Sequence, residues 1–335
     1  MLKIIFSSED ILRTRVAPAA DPVWELVLSL HLLQGRGRDP LLTPWRRTVA
    51  DTLRMEESAG ERFRLLLALN PPRGYFPDFL TPYASKDGLA AGLEAVRGTP
   101  VDMLHRDLTR LAEENVLPAP AAGLARGEPE VLRHLTGSMA RYQELAVTPY
   151  WSRIQAAVEA DRARRARAML DGGAEGLLAS LRPSMRWADR VLEVLDYPDT
   201  RELHLDGRGL LLVPSFFCAR IPVALVDPAL PPVLVYPVDR LGGLTPAPGL
   251  DARRDADGAS REALAALLGR TRAAVLEAAD EGCTTGEMAR RLRISAAAAS
   301  QHTSVLRNAG LLVSHRDRNT VLHTLTPLGR AVLDA

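Results

Sequence analysis

The chain has few cysteines, few aromatic residues and no long apolar run. Its two cysteines, Cys218 and Cys283, lie far apart and form no CxxC pair, which excludes a disulfide framework and a structural zinc site. No apolar run approaches the roughly 20 residues that a membrane span needs, and the apolar stretch at residues 1–6 is too short for a secretory signal. We therefore expect a chain that stays in the cytoplasm, does not enter a membrane and packs both cysteines in its core.

Lysine is also scarce, because Lys3 and Lys86 are the only lysines among 42 basic residues. This excess of arginine, together with abundant alanine, is typical of a high-GC bacterial genome and says nothing about mechanism. Hydrophobic residues make up 47% of the 335 residues and charged residues 25%, values typical of a soluble globular protein. The net charge is +1, so only a local basic face would favour nucleic acid.

The pattern along the chain predicts an α+β fold that is mainly α. Residues 1–200 are predicted to form a mainly helical domain, in which Asp21-Pro22, Thr43-Pro44 and Thr148-Pro149 offer helix caps. Short β-rich runs over residues 201–240 predict a small central sheet packed on that domain, with a hairpin loop at residues 206–209. Residues 241–259, rich in Gly, Pro and Asp, are interpreted as a linker to a last domain, residues 260–335.

That last domain begins with a predicted helix–turn–helix. A stripe of apolar residues between 264 and 278 predicts a first helix that ends near Gly282. Thr284-x-x-Glu287 is a capping box that opens a second helix, and Ser295 is a good N-cap for a third helix that runs to residue 309.

The pattern after the third helix predicts a wing. Gly310 stands where a left-handed residue ends a helix, with Leu311 placed to contact Leu306 as in the Schellman motif. Residues 311–315 and 320–325 are predicted strands joined by a polar turn, and Thr326-Pro327 opens one more helix. This order of elements predicts a C-terminal winged helix-turn-helix domain.

Residues 295–312, Ser-Ala-Ala-Ala-Ala-Ser-Gln-His-Thr-Ser-Val-Leu-Arg-Asn-Ala-Gly-Leu-Leu, resemble the recognition helix and following strand of ArsR-like winged-helix regulators. The resemblance covers roughly the last 75 residues. Through residues 6–15, 211–217 and 234–237 the chain is also similar to long actinobacterial members with an uncharacterised N-terminal region. The resemblance implies a transcription regulator, a repressor, that binds a palindromic operator in double-stranded DNA as a homodimer.

Two departures from the family pattern bear on packing and on metal sensing. Thr303 stands where the family usually has leucine, which predicts looser packing of the recognition helix. Cys283 lacks the second cysteine of the metal-sensing members, so we expect no metal site. His302 is interpreted as a helix-packing residue or one that lies near a phosphate rather than a metal ligand, and His315 and His323 as solvated strand residues without a role.

Helical spacing turns Ala299, Leu306 and Ala309 inward and leaves a polar face for the major groove. Gln301 can pair with an adenine edge and Arg307 with a phosphate. Residues 286–330 contain seven arginines and only two acidic residues, and the second helix and the wing offer further phosphate contacts. The candidate DNA-binding residues are Thr284, Thr285, Ser295, Ala297, Ser300, Gln301, Ser304, Arg307, Arg316 and Arg318.

Other classes of function have weaker support. His105-Arg106-Asp107-Leu108 has the letters of a kinase catalytic loop, but residue 112 is Ala rather than Asn, and no Asp-Phe-Gly, glycine-rich loop, GxSxG or P-loop occurs. We therefore expect no enzyme activity and no cofactor. The N-terminal region is either a protein-interaction module or a sensor for a small-molecule effector. The candidate pocket residues for the sensor are Tyr75, Phe76, Trp187, Phe216, Phe217 and Tyr236.

Overall fold

The structure is a computed structural model that describes residues 1–35, 39, 41–56, 59–219, 221–225, 227, 229–240, 244, 264–280, 282–317 and 320–333. The chain divides into two compact units, Met1–Ala247 and Pro248–Ala335. Apart from Leu244, the predicted linker at residues 241–259 lies outside the described residues. No helix among the described residues has the length and apolarity needed to cross a membrane.

The first unit is mainly helical, with short 3-10 or π turns at Asp78–Leu80, Tyr83–Asp87, Gln143–Val147 and Thr148–Tyr150. Its helices are α1 (Ser8–Arg13), α2 (Pro22–Gln34), α3 (Thr43–Met55), α4 (Ala59–Arg62), α5 (Arg64–Leu69), α6 (Leu89–Arg97), α7 (Val101–Ala112), α8 (Pro120–Ala125), α9 (Pro129–Tyr142) and α10 (Trp151–Ala179).

One of the three predicted caps is confirmed. Asp21 accepts hydrogen bonds from the N–H groups of Val23 at 3.0 Å and Trp24 at 3.1 Å and so opens α2. Thr43 is instead the first residue of α3, and its hydroxyl donates back to the carbonyl of Asp39 at 3.0 Å. Thr148 continues from the preceding π turn without a side-chain cap, because the chain there is already helical.

The described residues of the first unit also form two four-stranded sheets, in the orders β3-β4-β1-β5 and β2-β6-β8-β7. They draw strands from three parts of the chain rather than from residues 201–240 alone. The predicted hairpin at residues 206–209 is wrong, because the strands on either side of it belong to different sheets. The strands are β1 (Leu2–Ile5), β2 (Arg15–Val16), β3 (Arg186–Ala188), β4 (Val191–Val194), β5 (Arg201–His204), β6 (Leu211–Ser215), β7 (Val223–Ala224) and β8 (Val233–Pro237).

A buried carboxylate joins α2 to the end of β6. Glu25 is completely buried and accepts hydrogen bonds from the Ser215 hydroxyl at 3.0 Å and from the N–H groups of Phe216 at 2.8 Å and Phe217 at 2.9 Å. Burial, together with the nearby charge of Asp21, raises the pKa of Glu25 to about 7. The three donors satisfy the carboxylate and fix where the strand meets the helix.

The second unit contains a three-stranded sheet in the order β10-β11-β9 and a set of short helices. The predicted first helix is broken at Gly269, whose φ of 85° is left-handed, and Leu267 is 78% exposed instead of lying in the core. The elements are α11 (264–268), α12 (Arg270–Ala278), β9 (Cys283–Thr284), α13 (Thr285–Leu292), α14 (Ala296–Asn308), β10 (Leu312–Asp317), β11 (Thr320–Leu325) and α15 (Pro327–Leu333).

The Glu25→Gln variant tests the buried carboxylate. At pH 5 the Glu25 carboxyl group is protonated and each of its oxygens can still accept a backbone N–H, which the amide nitrogen of glutamine cannot do, so we expect a loss of about 1–3 kcal/mol. The folded protein holds the Glu25 proton up to about pH 7, whereas the unfolded chain releases it near 4.5. Wild-type stability should therefore fall as the pH rises through this window, by up to roughly 3 kcal/mol.

Denaturant unfolding followed by tryptophan fluorescence measures this effect. All four tryptophans precede residue 188, so their fluorescence reports on the first unit. The stability difference between wild type and Glu25→Gln should shrink as the pH is raised from about 5 to 8. The exposed Glu130→Gln is the matched control, and an equal pH dependence in both variants would show that Glu25 is not the titrating group.

Candidate nucleic-acid interface

The capping box at the start of α13 is confirmed. Thr284 Oγ1 accepts from the N–H of Glu287 at 3.3 Å, and the Glu287 carboxylate accepts from the N–H of Thr284 at 2.9 Å and from its hydroxyl at 3.0 Å. The hydrogen bond from the Thr284 N–H lowers the pKa of Glu287. The neighbouring Thr285 hydroxyl lies 2.9 Å from Nε2 of His323. Both threonine hydroxyls are thus engaged within the protein.

A tight turn sets α14 against α13. Arg293 ends α13 in the left-handed conformation, with φ 53° and ψ 42°, and the N–H of Ile294 donates to the carbonyl of Ala289 at 3.1 Å. Ser295 then caps α14 by accepting from the N–H of Ala298 at 3.1 Å, as predicted. Two helices are therefore joined by only three residues.

One face of α14 is buried and the opposite face is open. Ala299, Thr303 and Leu306 are buried, and the Thr303 hydroxyl donates to the carbonyls of Ala299 and Ser300, both at 3.0 Å. The predicted inward positions of Ala299 and Leu306 are confirmed. The prediction for Ala309 is wrong, because it is the exposed C-cap. Of the candidate contacts on this helix, Ser304 is half-buried and the exposed ones are Ala297, Ser300, Gln301 and Arg307.

The predicted Schellman motif ends α14. The N–H of Leu311 donates to the carbonyl of Leu306 at 2.9 Å, and the N–H of Gly310 donates to that of Arg307 at 2.9 Å. Gly310 has a φ of 74°, and Leu306 and Leu311 share the core of the second unit. Backbone geometry at Gly310 therefore leads the chain from α14 into β10.

The β10–β11 hairpin is antiparallel and pairs Arg316 with Val321. Arg316 lies near the end of β10, and its side chain is outside what the structure describes, as is the side chain of His315. The candidate residue Arg318 lies outside the described residues altogether. The hairpin places residues 316 and 317 at its tip.

The prediction that His323 is a solvated strand residue without a role is wrong. It is 4% exposed, not solvated, with Nε2 facing the Thr285 hydroxyl and Nδ1 lying 2.8 Å from the Ser314 hydroxyl. Burial, and then the charge of Arg307, lowers the pKa of His323. The neutral ring thus holds the start of α13 to the hairpin. The alternation of β11 gave no signal for this role. Ser314 stands opposite His323 in the predicted hairpin, but the contact with Thr285 joins residues that are 38 positions apart.

The arginines of the second unit differ in whether they form ion pairs. Arg330 pairs with Asp280. Among the residues that the structure describes, no ion pair involves the exposed arginines of α13, the turn and α14, which are Arg290, Arg291, Arg293 and Arg307. By contrast, three arginines of α10 in the first unit are paired with carboxylates, namely Arg162, Arg164 and Arg165.

The six aromatic residues predicted to line a pocket do not come together. Phe216 and Phe217 lie in the larger core of the first unit, and Phe217 contacts Trp45. Trp187 packs edge-on against Phe6 in a second core, which also contains Tyr236. Tyr75 and Phe76 pack on the larger core, in contact with Arg110 and with Trp24 and His31 respectively.

The kinase-like tetrad has structural contacts in α7. Arg106 pairs with Asp227 at 2.6 Å, and the buried Asp107 accepts from the N–H of Phe79 at 3.1 Å. Among the residues described, no group of three or more His, Cys, Asp or Glu is placed to hold a metal ion.

Comparison with known proteins yields one similarity. No protein-family model and no curated protein matches the chain. Among solved structures the chain is similar to reduced HlyU from Vibrio cholerae N16961, with 26% sequence identity and a TM-score of 0.20. The match covers 24% of this chain and 86% of HlyU. The TM-score is too low for this similarity to bear on function.

The Gly310→Ala variant tests the end of α14. No atom would obstruct the added methyl group, so the effect comes from the left-handed backbone, and we expect a loss of about 1 kcal/mol in the second unit. Amide hydrogen exchange of peptides from residues 283–312 should speed up roughly fivefold. Gly286→Ala is the control, because Gly286 is helical and equally unobstructed, and its exchange should be unchanged or slower. Equal acceleration in both variants would contradict the assignment.

Proposed function

We propose that the chain is a sequence-specific DNA-binding transcription regulator whose second unit is a winged helix-turn-helix domain. The observation that carries the proposal is the exposed polar face of α14, next to arginines that form no ion pair among the described residues. The capped α13, the three-residue turn and the β10–β11 hairpin support it. In this proposal α13 is the positioning helix, α14 is the recognition helix and the β10–β11 hairpin is the wing.

In the proposed complex, α14 lies in the major groove, which is wide enough for one α-helix. Gln301 reads an adenine edge, Ser300 and Ser304 contact further base edges, and the methyl of Ala297 contacts thymine. Arg307, at the end of the helix, neutralises a phosphate.

We propose two further phosphate contacts. At the start of α13 the proposed donors are the backbone N–H groups of residues 285 and 286, because the capping box engages the N–H of Glu287 and the hydroxyls of Thr284 and Thr285 are also engaged. At the tip of the β10–β11 hairpin, Arg316 contacts the phosphate backbone of the DNA or a narrow minor groove.

Regulation is proposed to follow the family pattern. The chain acts as a homodimeric repressor on a palindromic operator, with half-sites about one helical turn apart. The first unit receives the signal, a small molecule or a protein effector, and is not an enzyme. The contacts of Arg106 and Asp107 support this last point, since ion pairing and a buried backbone hydrogen bond account for both.

Fluorescence anisotropy with DNA from upstream of the gene, repeated over a salt series, tests the proposal. Gln301→Ala should weaken specific binding roughly 5-fold to 100-fold and leave binding to random DNA unchanged. Arg307→Ala should weaken binding to upstream DNA and to random DNA alike. It should also make the dependence of affinity on salt concentration less steep, by the equivalent of about one phosphate contact.

Arg167→Ala is the matched control, because Arg167 is exposed on α10 of the first unit. Its DNA binding should equal that of wild type. Equal affinity for upstream and random DNA would refute sequence-specific regulation. That result would instead favour a second unit that contacts protein.

A further inference from the structure

A small cavity in the first unit lies apart from the six aromatic residues named above. It has a volume of about 150 Å³ and lies between the Asp78–Leu80 turn, the end of α6, the start of α7 and the segment between β7 and β8. Its apolar wall includes Phe79, Met103, Leu225 and Leu230. Every lining residue lies in the part of the chain that the structure describes.

The polar groups of the lining already have partners. The Thr99 hydroxyl donates to the carbonyl of Val96 at 2.9 Å, and the Tyr83 hydroxyl accepts from Arg15 at 2.5 Å. Asp78 Oδ2 accepts from the N–H of Asp227 at 2.7 Å. The lining therefore offers apolar contact, and a bound molecule need not supply hydrogen bonds.

The segment on one side of the cavity is held in place by Asp227. Besides donating to Asp78, Asp227 accepts from Arg106 of α7 at 2.6 Å and from the N–H of Ala229 at 2.9 Å. The cavity is thus a preformed space, because its walls are joined by charged and backbone hydrogen bonds rather than by a filling side chain.

Size and charge define the ligand class. An enclosed apolar cavity of roughly 150 Å³ accepts a molecule of the size of benzene, and this cavity, which is partly open to solvent, offers a similar volume. The lining contains the carboxylate of Asp78 and no lysine or arginine side chain, so an anionic ligand would meet a like charge in the wall of the cavity. A neutral ligand avoids this repulsion.

We propose that this cavity binds a neutral, apolar small molecule of single-ring size. A role of this cavity as the effector site of a regulator rests on the proposed function. Binding of the small molecule is measured without DNA, so this proposal and the proposed function can fail independently. A ligand there would contact both α7 and the segment before β8, and would strengthen their attachment.

The test uses the full chain with methyl-labelled methionine and benzyl alcohol as the probe. The Met103 methyl resonance should show a saturable ring-current shift, whereas the resonance of Met139, completely buried in α9, should not move. Benzoate, of similar size but anionic, should shift Met103 at least fivefold less at equal concentration. An equal response to benzoate, or no shift of Met103, would overturn the proposal.

A variant pair gives a second readout. Ala95→Leu adds volume to the lining, and the shift produced by benzyl alcohol should fall at least fivefold. Ala90→Leu, on the exposed side of the same helix, should behave as wild type. Circular dichroism checks that both variants are folded. An undiminished shift in a folded Ala95→Leu protein would place the probe elsewhere and refute the site.

Discussion

The packing of the first unit depends on buried carboxyl groups that accept hydrogen bonds from donors in distant parts of the chain. Glu25 is the strongest case, because neutral donors alone hold it between α2 and the end of β6. Leaving such a group unsatisfied would cost several kcal/mol, so α2 and the sheet have only one favourable relative placement. Arg240 holds the same strand exit from the other side, through the carbonyl of Phe216 at 2.6 Å and an ion pair with Asp39.

The same rule recurs at other junctions of the first unit. Asp10 accepts from the N–H of Gly209 at 2.9 Å and joins α1 to the segment before β6. Asp161 accepts from the Tyr236 hydroxyl at 2.6 Å and pairs with Arg165, joining α10 to β8. In a chain without disulfides, these long-range bonds give the packing its uniqueness, because apolar contacts alone are less directional.

Local signals were predictable from the sequence and long-range pairings were not. The Thr284 capping box and the Gly310 Schellman motif involve residues within six positions of each other, so the sequence shows both partners together. The four-residue β1 pairs with β4 and β5, nearly 200 residues away, and is too short to show a period. The buried role of His323 and the separation of the aromatic residues into two cores depend on the same kind of distant contact.

The candidate interface helix α14 is held by its two ends as well as by its buried side chains. Within α14 only Ala299, Thr303 and Leu306 are buried, and one of them is an alanine that buries little area. The Ser295 cap, the Schellman end and the good helix propensity of the alanines add to the stability that this packing gives. Small exposed residues also let the backbone approach a partner closely. A helix fixed at both ends whose exposed face consists mostly of small residues is therefore suited to insertion into a groove, since only Gln301 and Arg307 among its proposed contacts have long side chains to order.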